Sequence, residues 1–409
     1  MSAEPDYDEK TGWNNFRLLL LNSGLSRTGF AAFNLIIIWI MLKETGSPLI
    51  SGLSDGLISL PLLLSFIVGA YLDKQRRVKY IGVLAGLVRS LSLLGLVYSL
   101  LVRSELMIII FGLLASFMLG FTSDVINSMR SLLMKMFLKE SQYKTGSSLS
   151  NSVYSLSEAV GYSLSGVLLT FGYLNSIGVI FIIFILSIIP IILLKEKERT
   201  DVSEGKLNES IKQGLRFILN DKLLKELLIL GLIVNFLFGA MALLLISLIE
   251  LKLSLTPMFV SMIFLMLIGG ITVGSYVGKY MGGKLSSIVL TTMVSISLVF
   301  MLISFLNNIY LIGILVLAAG LIIGISNVFF SYSLLKKIPR EYMARIMGAF
   351  NTFGLSATAM SGVVAGTIIQ LIGIRDSLLL IGAVLLVISP LALIFRELHE
   401  VEVPKGGRK

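Results

Sequence analysis

The chain has 409 residues, of which 56% are hydrophobic and 14% charged, and its formal net charge is +10. Soluble domains carry about 25% charged residues, so this composition excludes an ordinary soluble protein. Cysteine is absent and histidine occurs once, which excludes disulfides, thiolate metal sites and histidine-based proton relays. Lysine and arginine collect in the cytoplasmic loops of membrane proteins, so the positive charge does not indicate a nucleic-acid partner.

The apolar residues lie in long runs that lack the period-two alternation of a membrane β-barrel. A helix that spans a bilayer needs about 20 mostly apolar residues. The runs predict twelve membrane-spanning helices, at about residues 16–42, 49–72, 79–102, 107–129, 148–170, 176–194, 224–248, 257–279, 286–306, 309–334, 346–370 and 377–395.

The distribution of basic residues predicts the orientation of these spans. With the N-terminus in the cytoplasm, 28 of the 34 lysines and arginines fall on cytoplasmic segments and 4 on outer loops. The other two, Arg27 and Arg89, lie within spans. This asymmetry follows the positive-inside rule. We therefore expect a multi-pass protein of the cell membrane with both termini in the cytoplasm.

An internal repeat divides the chain into two halves. At an offset of 200 residues Asn151 matches Asn351 and Pro190 matches Pro390, which equates spans five and six with spans eleven and twelve. An offset of six spans preserves orientation, so the halves are parallel repeats. The predicted divisions are an N-terminal half at 1–194, a cytoplasmic linker with an amphipathic helix at 195–223, a C-terminal half at 224–395 and a cytoplasmic tail at 396–409.

The loop between spans two and three carries a recognisable motif, Gly69-Ala-Tyr-Leu-Asp73-Lys74-Gln-Arg76-Arg77. It resembles the Gly-x-x-x-Asp-Arg/Lys-x-x-Arg/Lys signature of the major facilitator superfamily, at the position where that family carries it. The resemblance implies an all-α membrane protein with twelve transmembrane helices in two parallel six-helix repeats. We expect a gating loop, in which Gly69 permits close helix contact and Asp73 pairs with a basic group or a helix N-terminus. A plain basic loop is the alternative.

Other segments resemble the drug-proton antiporter branch of that superfamily, which includes macrolide-efflux-like proteins. They are Asn15–Leu18, Glu44–Ser47, Arg89, Arg130–Leu133, Gly214–Phe217 and Ile338–Glu341. The resemblance runs from about residue 14 to about residue 395, nearly the whole chain. It implies efflux of amphipathic or drug-like compounds, driven by protons that move inward.

Span five contains Gly161-Tyr-Ser-Leu-Ser-Gly166, which resembles the antiporter motif Gly-Pro-x-x-Gly-Gly of the same branch. Tyr162 replaces the proline and Ser165 replaces a glycine, and this departure weakens the implication of antiport. Small residues at helical spacing also allow close helix packing in membranes. The predicted packing residues are Ser157, Gly161, Ser165 and Gly166 in span five and Gly270, Gly274 and Gly278 in span eight.

Three charged residues, Arg27, Arg89 and Glu158, are predicted near the bilayer midplane. Ionisable residues at that depth cost about 2.5–3.5 kcal/mol each, which makes them functional candidates. We predict that Glu158 carries a coupling proton, because burial and a nearby arginine act on its protonation in opposite directions. A static ion pair with Arg27 or Arg89 is the alternative. Arg27 is also a candidate to bind an anionic substrate group, and Arg89 is expected to be structural.

Two further carboxylates are coupling candidates. Asp124, near the inner end of span four, is placed to pair with Arg76 or Arg77, as in similar family members, and we favour gating over proton transfer for it. Asp55 is expected at a solvated outer rim, with an outer-gate or cation-attracting role as the alternative. Seven polar and aromatic residues are candidates to line a substrate cavity, and interhelical hydrogen bonds are the alternative role for each. They are Asn22, Asn34, Tyr154, Asn235, Asn327, Tyr332 and Asn351.

The sequence thus predicts a secondary active transporter, with a small molecule, protons and the lipid bilayer as partners. We expect a monomer without cofactor or metal. The alternatives are a transporter for an endogenous metabolite or a lipid, and a membrane sensor without transport. An enzyme is not expected, because the sequence has no nucleotide-binding loop, no metal-ligand set and no nucleophile–histidine pair.

Overall fold

The structure is a computed structural model that describes residues 7–198, 216–338 and 343–405. The chain divides into two compact units, Met1–Leu207 and Asn208–Lys409. Each unit is built almost entirely of long helices.

Within its described residues, the first unit contains seven helices. They are α1 (Glu9–Thr45), α2 (Pro48–Ser59), α3 (Ser65–Asp73), α4 (Lys79–Val102), α5 (Glu105–Phe137), α6 (Tyr143–Thr170) and α7 (Tyr173–Leu193), with short 3-10 turns at Leu60–Leu64 and Glu140–Gln142.

Local sequence signals fix several of the helix ends in this unit. The Asp8 side chain accepts the N–H of Thr11 and begins α1. Gly46 ends α1 in the left-handed conformation at φ 61°, where a glycine has no Cβ to clash. The Ser47 side chain then begins α2, with Pro48 in its first turn. Because the residue that ends α1 and the residue that begins α2 are adjacent in the sequence, the two helices follow each other closely along the chain.

The second unit contains the remaining helices. They are α8 (Lys222–Ser247), α9 (Met258–Gly278), α10 (Leu285–Phe305), α11 (Ile309–Lys337), α12 (Met343–Ile388), α13 (Leu391–Ile394) and α14 (Arg396–Glu400), with a π-helical turn at Leu248–Lys252. Strand β1 (Gly283–Lys284) pairs antiparallel with β2 (Glu402–Val403) and ties the tail to the loop before α10.

Each of the twelve predicted spans coincides with helical structure in these units. By length and composition, nine helices within the described residues are apolar enough to cross a membrane. Span two is the α2–α3 path, which the turn at Leu60–Leu64 divides. Span five is α6, whose eight serines lower its hydropathy. Spans eleven and twelve lie along α12, which consists of two helical segments that meet at Gly373, where φ is 78° and ψ is 162°.

One predicted boundary is wrong by two helical turns. Span four was expected to end near residue 129, but α5 continues to Phe137. Leu133 and Phe137 are buried in this extension, so packing holds it helical after the apolar run has ended. Arg130 therefore lies within a helix instead of a cytoplasmic loop.

The predicted packing ridges lie against neighbouring helices of their own unit. A Cβ on Gly274 of α9 would collide with the carbonyl oxygen of Leu321, and one on Gly324 of α11 would collide with that of Ile271. Gly161 of α6 lies against the backbone of Thr28 on α1 in the same way. Because these positions lack side chains, the helix backbones approach closely.

The predicted linker is described only at its two ends. Residues 199–215, which include most of the predicted amphipathic helix, lie outside the described residues. Helix α8 begins at Lys222, where the Asp221 side chain accepts the N–H of Leu224.

Candidate functional site

The central feature of the first unit is an ion pair between Arg27 of α1 and Glu158 of α6. Arg27 Nη2 contacts Glu158 Oε1, and the two side chains are 18% and 28% exposed. The Tyr162 hydroxyl donates to the same carboxylate oxygen at 3.3 Å. Of the two partners that the sequence left open for Glu158, the structure therefore selects Arg27.

A second guanidinium lies beside this pair. The Tyr154 ring has Arg27 Cζ at 4.1 Å and Arg130 Cζ at 5.5 Å from its centroid. Arg27 also lies 5.2 Å from the ring centroid of Phe30. Both arginines are within cation–π range of an aromatic face. The cluster thus contains two guanidiniums, one carboxylate and two aromatic rings.

Arg27, Phe30, Arg130 and Tyr154 line a small cavity of about 20 Å³ between α1, α5 and α6. Its walls are Ser23, Ser26, Arg27, Phe30, Ser123, Ile126, Asn127, Arg130 and Tyr154. Two polar atoms in this wall, Arg27 Nε and Ser123 Oγ, are buried and have no hydrogen-bond partner among the described residues. The lining is polar and cationic, with an aromatic side.

Arg89 occupies a different place, fully buried between α4, α1 and α7. Its Nη1 donates to Ser26 Oγ at 2.7 Å and its Nη2 to Ser187 Oγ at 3.2 Å. The guanidinium lies 4.0 Å from the ring centroid of Phe184. No carboxylate of the described residues pairs with it. These contacts agree with the structural role expected for Arg89.

Asp55 is buried, so the expected solvated rim position is wrong. Its Oδ1 accepts a hydrogen bond from Asn34 Nδ2 of α1 at 3.2 Å. Hydropathy places a residue along a helix but does not show which way it faces. In the structure Asp55 of α2 faces α1, where Asn34 lies.

Asp124 is not paired with a basic residue in the described part of the chain. Its Oδ1 accepts from Ser65 Oγ of α3 at 2.7 Å, and its Oδ2 has no hydrogen-bond partner. Arg77 pairs instead with Glu198 at 2.9 Å. Asp124 lies thirteen residues, or ~20 Å, from the end of the extended helix α5. Its partner Ser65 lies at the start of α3, and the signature residue Asp73 lies at the end of that helix.

The signature loop is bound by the segment that follows α7. The Glu196 carboxylate accepts the N–H groups of Val78 and Lys79, at 2.8 and 3.0 Å, and so caps the start of α4. Burial raises the pKa of Glu196, and these N–H groups oppose the rise. Together with the Arg77–Glu198 pair, this contact fastens the loop to the beginning of the linker.

The other signature residues take no part in a described close contact. No described atom lies within 4 Å of a Cβ built at Gly69, so the close helix contact expected there is not found. Lys74 and Arg76 are exposed. The side chain of Asp73 lies outside the described residues.

Three of the seven predicted cavity residues, Asn22, Asn34 and Asn235, form side-chain hydrogen bonds between or within helices. Asn22 donates to the Ser187 carbonyl and Asn235 to the Gly231 carbonyl, both at 2.8 Å. Tyr332 lies near Lys336 at the C-terminal end of α11, and the side chain of Asn351 lies outside the described residues. Of the seven, Tyr154 lines the cationic cavity.

The second unit has a cavity of its own with a different character. Asn327 is exposed and contributes to it. The walls are Ile233, Val234, Leu237, Thr292, Met293, Ile296, Ile323, Ser326, Asn327 and Leu385. This lining is mainly apolar, with a few hydroxyl and amide groups.

Arg130 is the site residue that the sequence reasoning missed, because it was counted as a charge of a cytoplasmic segment. A signal was present. Ser123, Asn127 and Arg130 follow one another at helical spacings of four and three and form a polar face on an apolar helix. That pattern predicts a helix that faces a polar cavity.

Solved structures with the same fold support the architecture. The nucleoside transporter NupG is similar, with a TM-score of 0.72, 12% identity and coverage of 95% of this chain and 100% of that one. The human organic anion transporter MFSD10 has a TM-score of 0.62 at 14% identity, with coverage of 93% and 99%. A proton-dependent oligopeptide transporter has a TM-score of 0.68 at 12% identity, with coverage of 95% and 99%.

Comparison of sequences gives the family. No curated protein matches the chain. The sequence profile of the Major Facilitator Superfamily matches residues 19–362, most of the chain. The predicted all-α membrane fold and the prediction that the chain is not an enzyme are thereby confirmed. The chain belongs to the Major Facilitator Superfamily of membrane transporters.

Proposed function

We propose that this chain is a secondary active transporter that exports amphipathic, drug-like small molecules by alternating access, driven by protons that bind Glu158. The observation that carries the proposal is the Arg27–Glu158 pair at the wall of a polar cavity. A carboxyl group beside a guanidinium stays ionised, and one separated from it in apolar surroundings binds a proton. A conformational change that separates α1 from α6 would switch Glu158 between these two states.

The fold neighbours support a small organic substrate, because they are transporters of nucleosides, organic anions and peptides. One of them is proton dependent. Tyr162 and Ser165 depart from the antiporter motif, so this motif gives little support to proton coupling. The main support for proton coupling is therefore the carboxylate of Glu158. We place the protein in the cell membrane with both termini in the cytoplasm, on the distribution of basic residues. We propose that it acts as a monomer.

We assign the signature loop to gating. Arg77 and Glu196 bind that loop to the segment after α7. A change in the spacing of α3, α4 and α7 would have to break or slide these contacts. The loop is therefore placed to stabilise one conformation of the first unit over another.

The test is flux in proteoliposomes with a defined orientation, with and without a pH gradient, for a panel of neutral, cationic and anionic amphipathic dyes. Export that accelerates when protons can flow inward supports the proposal. Exchange that ignores the gradient would assign the chain to facilitated transport of a metabolite or lipid. Absence of flux for the whole panel, from protein that melts cooperatively, would favour the sensor alternative.

A further inference from the structure

The cationic cavity of the first unit has an excess of positive charge. Its two guanidiniums belong to Arg27 and Arg130, and the one carboxylate beside them, Glu158, contacts Arg27. Arg130 forms no ion pair with any carboxylate of the described residues, and the contact found for it is the Tyr154 ring. With Glu158 ionised, the cluster keeps one uncompensated positive charge.

Other carboxylates of the same unit do not supply the missing charge. Asp124 is on the same helix as Arg130 but accepts from Ser65. Asp55 accepts from Asn34. A half-buried guanidinium without a counter-charge is costly unless something else neutralises it. The structure therefore has a cation in a polar cavity whose partner is not supplied by the neighbouring carboxylates.

Apart from Ile126, the remaining groups of the cavity wall are hydroxyls, an amide and aromatic rings. Arg27 Nε and Ser123 Oγ are buried without hydrogen-bond partners, and Asn127 adds an amide. Guanidinium and hydroxyl donors that converge in this way are the chemistry that recognises carboxylate and phosphate oxygens. At about 20 Å³ the cavity has room for a single small polar group. The rings of Phe30 and Tyr154 at its wall present aromatic surface to the adjoining part of the same ligand.

We propose that this cavity binds the acidic group of an amphipathic organic anion, a carboxylate or phosphate monoester on an aromatic or aliphatic body, with Arg130 as the specificity-determining cation. The inference rests on the proposed function in one respect, the assignment of the cavity to the substrate path. It adds the charge of the substrate, which the family and the coupling scheme leave open.

The charge balance fits export coupled to protons. An acidic group on Arg130 brings the cluster to neutrality while Glu158 stays ionised beside Arg27. Substrate binding therefore does not need a proton on Glu158.

The test is binding to the purified full-length protein in lipid nanodiscs, with 1-naphthylacetate, 1-naphthyl phosphate and the methyl ester of 1-naphthylacetate as probes. We expect the two acids to bind at least about tenfold more tightly than the ester, the scale of a hydrogen-bonded charge pair. The Arg130→Gln variant should lose this preference, and Arg130→Lys should keep part of it. Lys135→Gln removes an exposed charge from the same helix and should bind like the wild type.

A second variant keeps the test decisive if Arg130→Gln does not fold. Asn127→Asp places a carboxylate one turn from Arg130, where it neutralises the guanidinium internally. It should weaken binding of both acids and leave the ester unchanged. Wild-type protein that binds none of the probes, or binds the ester as tightly as the acids, overturns the inference. So does a folded Arg130→Gln variant that still prefers the acids.

These outcomes are separate from those that test the proposed function, because binding is measured without any gradient. Proton-driven export of neutral dyes together with no preference for acids would overturn the inference alone. Acid-selective binding without proton-dependent flux would overturn the coupling and leave the substrate class in place.

Discussion

Glu158 of α6 and Arg27 of α1 contact each other because small residues bring the two helices together. The Thr28 hydroxyl donates to the Ser157 carbonyl at 3.2 Å, and Gly161 has no side chain to hold α1 away. The ion pair therefore lies beside a close contact between the two helix backbones.

The first prediction concerns the proton. In Glu158→Gln the side chain keeps its shape but cannot ionise, so it resembles the protonated carboxyl group. Export driven by a pH gradient should fall to the level of protein-free liposomes, and exchange of substrate down its own gradient should persist. The Arg27 guanidinium loses its partner, so we also expect a lower melting temperature.

Glu105→Gln is the matched control, because Glu105 is exposed in the first turn of α5. It removes the same charge far from the cavity and should leave both transport modes intact. Full pH-driven export by a Glu158→Gln variant of normal stability would transfer the coupling role to Asp124 or Asp55.

The second prediction concerns Arg89, whose planar guanidinium bridges Ser26 and Ser187 and lies on Phe184. Lysine keeps the charge but cannot reach both hydroxyls. Arg89→Lys should therefore destabilise the protein by roughly 1–3 kcal/mol, the cost of leaving buried polar groups unpaired. Thermal unfolding in detergent measures the loss. Flux per folded molecule should stay at the wild-type level, and a well-folded variant without flux would place Arg89 in the transport path.

The helices could be predicted from the sequence because each span needs a long apolar run, and the hydrophobic effect leaves those runs little alternative in a bilayer. The expectations that were wrong concern positions where the helix does not coincide with the apolar run. Arg130 and Lys135 end the apolar run of span four, yet Leu133 and Phe137 keep packing and α5 continues. Pro61 lacks an N–H, and the chain forms a 3-10 turn there within span two.

The site could be predicted only in part. Glu158 stood out because a carboxylate in the middle of a span is rare. Its choice of Arg27 over Arg89 depends on the rotation of each helix about its axis, which the packing of neighbouring helices sets. The same uncertainty explains why Asp55 was expected to face solvent and is buried against Asn34.

The third prediction tests the glycine contact between α9 and α11. A Cβ on Gly274 would collide with the Leu321 carbonyl, whereas one on Gly269 of the same helix meets no atom within 4 Å. Gly274→Ala should therefore destabilise the protein by about 1–3 kcal/mol through overpacking. Gly269→Ala should be neutral or slightly stabilising, because alanine favours the helix. Equal melting temperatures for the two variants would contradict the close contact.

The fourth prediction concerns orientation in the membrane. Cysteine is absent from the sequence, so each single cysteine substitution introduces a lone thiol. Lys43→Cys and Arg375→Cys should react with an impermeant maleimide added outside intact cells. Gln75→Cys and Lys284→Cys should react only after the membrane is opened. Labelling of Gln75→Cys from outside would reverse the proposed orientation.

The last prediction is that stability depends on pH through the hydrogen bonds between the Glu196 carboxylate and the start of α4. Burial raises the pKa of Glu196 above its ordinary value of 4.5, so the folded protein binds this proton more tightly than the unfolded chain does. The resulting stabilisation is present below 4.5 and is lost as the pH rises through the raised pKa. Glu196→Gln cannot titrate and serves as the reference. Between pH 4.5 and the raised pKa, the melting temperature of the wild type should fall relative to this variant, and above the raised pKa the difference should be constant. Melting in detergent at closely spaced pH values measures the difference. Glu198→Gln breaks an exposed pair with Arg77 and should change stability little. A difference in melting temperature between the wild type and Glu196→Gln that does not change with pH would refute the assignment.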